Sequence, residues 1–168
     1  MAACGSGGPV AASKPPPPTA APTAQATAQP PLTATGWLEN LSFSGDVTGS
    51  ATATAPDDAV LKSECSGRLT ARGGLWAGTL VVAIAGKRYA LVMLLPEYQG
   101  PVTYHDSDGI TVELHSGDLQ RAWQTMAGDP ATVTVAADEA SGNLQAQLSS
   151  TADPNRKVQV SGLYTCRT

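Results

Sequence analysis

Charge is scarce in this chain. Asp, Glu, Lys and Arg together make up 14% of its 168 residues, and no basic cluster exceeds Lys87-Arg88 or Arg156-Lys157. Nucleic acid is therefore excluded as a partner, because a polyanion needs a positive stripe to bind. Hydrophobic runs are short as well. No stretch of 18 apolar residues occurs, the length a membrane-spanning helix requires. Histidine is limited to His105 and His115, and only three cysteines occur, Cys4, Cys65 and Cys166. No phosphate-binding loop, dinucleotide fingerprint, Gly-x-Ser-x-Gly turn or zinc-type cysteine pair is found. No cofactor or metal is expected, and no enzymatic activity.

What is present is distributed unevenly. Eight of the 13 prolines fall between Pro9 and Pro31, whereas every aromatic residue lies after Gly36. A segment with so few large apolar side chains cannot offset its chain entropy, so a disordered tail is expected before a single domain. The boundaries read as 1–8, 9–36 and 37–168. Removing Lys14 with the tail leaves nine basic against 14 acidic residues in the domain, a net charge of −5.

Within the domain the apolar period is two. Ile110, Val112 and Leu114 alternate with Thr111, Glu113 and His115, and Val158 and Val160 alternate with Lys157, Gln159 and Ser161. Residues 76–84 and 89–95 are apolar on both faces and predict a central hairpin around Ala85-Gly86. Residues 98–104 and 110–115 predict a second hairpin through the Asp106-Ser107-Asp108-Gly109 turn, which would hold the two histidines too far apart to share a metal. A third is expected from 131–137 and 144–149. Leu119, Ala122, Trp123 and Met126 stand at helical spacing behind Asp118, predicting a short helix within 116–128. The sum is an all-β fold, an antiparallel β-sandwich or flattened β-barrel. Alternation over 61–69 places Cys65 on an inner face, and the parity of Val158, Val160, Tyr164 and Cys166 does the same for Cys166. A Cys65–Cys166 disulfide is thus expected, closing a loop of about 100 residues worth about 4.7 kcal/mol in the chain-entropy account.

Ala2-Ala3-Cys4-Gly5 resembles the end of a bacterial lipoprotein signal peptide, and the Gly/Ser and Pro/Ala/Thr stretches after it resemble a lipoprotein spacer. The segment Tyr98-x-Gly100-Pro101-x-x-Tyr104, the apolar hairpin before it and the ending Gly162-x-Tyr164-x-Cys166 resemble uncharacterised bacterial lipoproteins, with actinobacterial surface lipoprotein antigens the nearest named group. That resemblance implies lipidation at Cys4 and an extracytoplasmic location on the bacterial cell membrane. Two acyl chains there make a stable anchor where one does not. The 9–35 stretch would span roughly 30 Å as a flexible coil. The expected role is a monomeric, non-catalytic binding or interaction module for an envelope lipid, glycan or protein, with Tyr98, Gly100, Pro101 and Tyr104 as a possible binding loop. The alternative is a passive structural surface protein without a specific ligand.

Overall fold

The computed structural model describes residues 38–52, 55–65 and 74–166, excluding the side chains of Leu38 and Cys65. These lie in the second of the chain's two units, Leu32–Thr168. The tail and Cys4 fall outside the described residues.

An antiparallel 11-stranded sheet curls into a nearly closed barrel. In chain order the strands are β1 (Leu38–Gly45), β2 (Gly49–Ala51), β3 (Glu64–Cys65), β4 (Trp76–Ile84), β5 (Lys87–Leu95), β6 (Thr103–His105), β7 (Thr111–Ser116), β8 (Ala122–Gln124), β9 (Ala131–Val135), β10 (Ser141–Ser150) and β11 (Lys157–Thr165). Around the sheet they run β2-β1-β11-β10-β8-β7-β5-β4-β3. β10 changes partner along its length. Gly142–Ala146 pair with β9, and Ser149–Ser150 pair with β8, so β9 and β6 leave the main path as a flap.

Period-two alternation fills the interior. Leu41, Trp76, Leu80, Leu91, Met93, Leu114, Trp123, Leu144, Leu148 and Tyr164 are each 2% exposed or less. Trp76 packs on Tyr164 with ring centroids 5.8 Å apart. The central hairpin forms as expected, with Ile84 opposite Lys87 across Ala85-Gly86, both at positive φ. Its second apolar face is also accounted for. The 55–63 loop crosses the outside of β4 and β5, and Ala55 and Leu61 form a small cluster with Val81 and Ala90. Ala55 N–H donates to Val81 C=O at 2.8 Å and Val81 N–H donates to Ser63 Oγ at 3.0 Å. The open edge of β4 is thereby covered instead of left as a template for another chain.

Three expectations are corrected. The 116–128 segment is not a helix but a turn, β8 and a loop. Asp118 does not cap; it accepts Ser116 Oγ–H at 2.5 Å and Gln120 N–H at 3.1 Å, which holds a tight turn. The second hairpin does not form: Thr103 pairs with Thr134, and Thr111 with Leu94.

The third correction is the Cys65–Cys166 bridge. Among the described residues no Sγ–Sγ pair is present. Within 61–65 the strand is only Glu64–Cys65, paired with Thr79 and Gly78 at the edge of β4, and two edge residues do not establish the alternation that was to aim Cys65 inward. Cys166 is 2% exposed, so its side chain lies in the core as the parity of β11 predicts. The described fold is held by its ladders and core.

Candidate binding face

In the expected binding loop Tyr104 is buried, Tyr98 and Gly100 are half-buried and Pro101 is exposed. Tyr98 and Tyr104 stack with centroids 5.8 Å apart and planes at 28°. Tyr104 is buried; its hydroxyl donates to Gly100 C=O at 2.7 Å and accepts Gln99 N–H at 2.8 Å. Tyr98 N–H donates to Gly74 C=O at 2.9 Å. Gly100, at φ 117°, makes the bend that lets the Tyr104 hydroxyl close on the backbone, and Pro101 lies exposed beside it. Of these four residues, the two aromatic rings serve the fold.

The histidines stay apart in the sheet. His105 lies on β6 against β9, while His115, on β7, holds Glu113 with Nε2 2.8 Å from Oε2. Among the described residues no three His, Cys, Asp or Glu side chains gather as they would around a metal ion.

A surface that no single motif announces is formed where four strands meet. Alternation along β1, β11, β10 and β9 turns one set of side chains outward, and the register aligns them in rows across the strands. One row is Ser42, Ser161, Gln145 and Thr132. On one side of it lie Asn40, Leu163, Asn143 and Thr134, and on the other Ser44, Gln159 and Gln147. None of these residues is charged. Two adjoining hollows of ≈ 370 and ≈ 350 Å³ lie on this face and share Thr132, Gln145 and Ser161. Asn40, Asn143, Gln145 and Gln159 are exposed, so their amides point donors and acceptors toward solvent.

The charges bordering this face are neutralised by each other. Asp129, 4% exposed, accepts Lys157 Nζ–H at 2.7 Å, Ser149 Oγ–H at 2.6 Å, Gln147 Nε2–H at 2.8 Å and Met126 N–H at 3.2 Å. Burial pushes its carboxyl up, but Lys157, Ser149, Gln147 and the Met126 amide outweigh that and hold it at about 2. The result is a clasp that pins the loop after β8 over the end of β10. A second clasp joins β1 to the β10–β11 turn: Asp46 accepts from Arg156 Nη2 at 2.5 Å and from Trp123 Nε1 at 2.9 Å.

A further hollow, of ≈ 450 Å³, lies at the β4–β5 turn and includes Arg88, Asp58, Ser116 and Asp118. Its groups are largely committed inward. Arg88 pairs with the Asp58 carboxylate, and Asp58 also accepts Val60 and Leu61 N–H at 2.7 Å each. The Leu61 and Val60 amides, with Arg88 behind them, hold the Asp58 carboxyl below the usual range.

Among the described residues no helix is long and apolar enough to cross a membrane, a statement that does not bear on strands. Comparison with protein-family models, curated proteins and solved structures finds no match to this chain. Individual strand parities were legible in the sequence, but the rows on the candidate face were not. They depend on register between strands far apart in the chain, for which the sequence carries no local signal.

Proposed function

We propose that this chain is a lipid-anchored, exported envelope protein whose barrel is a non-catalytic binding module, tethered through Cys4 and the 9–36 spacer to the bacterial cell membrane. The anchor half of the reading is supported by Ala2-Ala3-Cys4-Gly5, by the Pro/Ala/Thr run behind it and by the resemblance to actinobacterial surface lipoprotein antigens. The binding half is supported by one observation above the others. Asp46, Asp58, Asp118 and Asp129 are tied into structural contacts, while one face of β1, β11, β10 and β9 carries exposed amides and hydroxyls and no charged side chain. Such a surface can hold a ligand by hydrogen bonds but offers no activated nucleophile or poised acid–base pair.

The test is a Cys4→Ser substitution in a bacterium that processes lipoproteins. The native sequence, expressed behind a lipoprotein signal, should remain with the membrane and enter the detergent phase on cloud-point extraction. The variant should be released to the aqueous phase. Equal partitioning of the two proteins counts against the tether.

A further inference from the structure

We infer that the outer face of β1, β11, β10 and β9 is a binding surface for a neutral polysaccharide. The inference deepens the reading above by naming the ligand class, yet its test does not depend on the tether. Charge complementarity is the first argument. The face presents Asn40, Ser42, Asn143, Gln145, Gln159 and Ser161 with no carboxylate, ammonium or guanidinium among them, in a domain that otherwise carries a net negative charge. A solvated sheet face needs no such restriction, since Lys and Glu are equally suited to water. An anionic polymer would find no cation here to compensate its desolvation, and a cationic one no anion.

Hydrogen-bond chemistry is the second. A carboxamide offers one acceptor and two donors in a plane, so it can meet neighbouring sugar hydroxyls, which both donate and accept. Gln145 and Asn143 stand on the same side of β10, two residues apart, flanked by Ser161 of β11 and by Thr132 and Thr134 of β9. Shape is the third. The two hollows share residues and together form a shallow trough across the strands, open to a chain and not shaped to engulf a small molecule. Rigidity is the fourth: β10 pairs with β11 along its whole outer segment and with β9 on the other side, so the polar rows are preorganised. A protein partner fits less well, because the face has one exposed apolar residue, Leu163, and no exposed aromatic anchor.

The full chain should be run in native gels containing neutral mannan, arabinan, galactan or glucan, with polygalacturonate as the charged comparison. At least one neutral polymer should retard it, and polygalacturonate should not. The Asn143→Ala/Gln145→Ala double variant should lose about tenfold in affinity, the loss expected for two or so hydrogen bonds. Gln159→Ala alone should give a smaller loss, which keeps the test decisive if the double variant is unfolded by near-ultraviolet circular dichroism. Amide shifts on titration with the retarding polymer should fall on β1, β9, β10 and β11. No retardation by any neutral polymer, equal retardation by polygalacturonate, or undiminished binding by folded variants would overturn the inference. Retardation by a neutral polymer of a chain with unmodified Cys4 would leave it standing and remove only the tether.

Discussion

Lys157 Nζ stands 2.7 Å from Asp129 Oδ1, joining the first residue of β11 to the loop that follows β8. The carboxylate is buried while the ammonium is 43% exposed, so the pair is anchored by the acid. Its pKa of about 2, against 3.8 for the unperturbed group, makes stability depend on pH. Because the folded value is the lower one, the contribution is complete above the unfolded pKa and disappears as pH falls through the folded pKa. A carboxyl held that far below its unfolded value contributes about 2 kcal/mol. Urea midpoints for the native protein should therefore fall between about pH 4 and about pH 2. Asp129→Ala should lower stability at neutral pH by about 2 kcal/mol and flatten that fall. An unchanged acid slope in the variant would refute the assignment.

Among the described glycines, Gly142 leaves the least room for a β-carbon. A Cβ there would lie 1.8 Å from Thr134 O and 2.7 Å from the Tyr164 hydroxyl, which itself donates to Thr134 C=O at 3.1 Å. Neither backbone nor buried ring can yield cheaply, so Gly142→Ala should cost about 3 kcal/mol or more. Gly128, at φ 89° with nothing within 4 Å, supplies the contrast. Gly128→Ala should cost about 1 kcal/mol, from backbone strain alone. Denaturant titration of the two variants checks the order.

Ala85 occupies the first position of the two-residue β4–β5 turn at φ 49°, a region that a β-carbon disfavours and asparagine tolerates. Ala85→Asn should stabilise the protein by about 0.5–1 kcal/mol, visible as a rise in Tm of a few degrees. A lower Tm would contradict the turn geometry.

The Tyr104 hydroxyl ties two backbone groups of its own loop, the Gly100 carbonyl and the Gln99 amide. Tyr104→Phe should cost about 1–2 kcal/mol and speed hydrogen exchange at the Gln99 amide. It should leave polysaccharide retardation unchanged, since the candidate face lies on other strands. Loss of retardation in the folded variant would restore the loop as a recognition element.

Much of the barrel was legible in the sequence. Period-two alternation located β7 and β11, the hairpin expected from 131–137 and 144–149 is β9 and β10, and the doubly apolar stretches around Ala85-Gly86 marked the central hairpin. The helix expected within 116–128 failed for a local reason. Leu119 fits a helical stripe with Trp123 and Met126, but it is 53% exposed at φ 59°, in a turn held by Ser116 and Asp118. The expected hairpin of 98–104 with 110–115 failed for a non-local one: Thr103 meets Thr134 across 31 residues, while proximity in sequence favoured Thr111. The candidate face was hidden for the same reason. The outward parity of Gln159 and Ser161 is visible on β11 alone, but their rows with Ser42, Ser44, Gln145 and Gln147 require the register of three strands.

The account rests most heavily on attachment of the barrel to a membrane through its first cysteine. Intact mass spectrometry of the protein extracted from the membranes of its own cells tests that directly. The account predicts a chain that begins at Cys4 and carries the added mass of a diacylglyceryl group, with fragment ions placing that mass on Cys4. A chain whose Cys4 bears no lipid, or a protein recovered wholly from the soluble fraction, would contradict it.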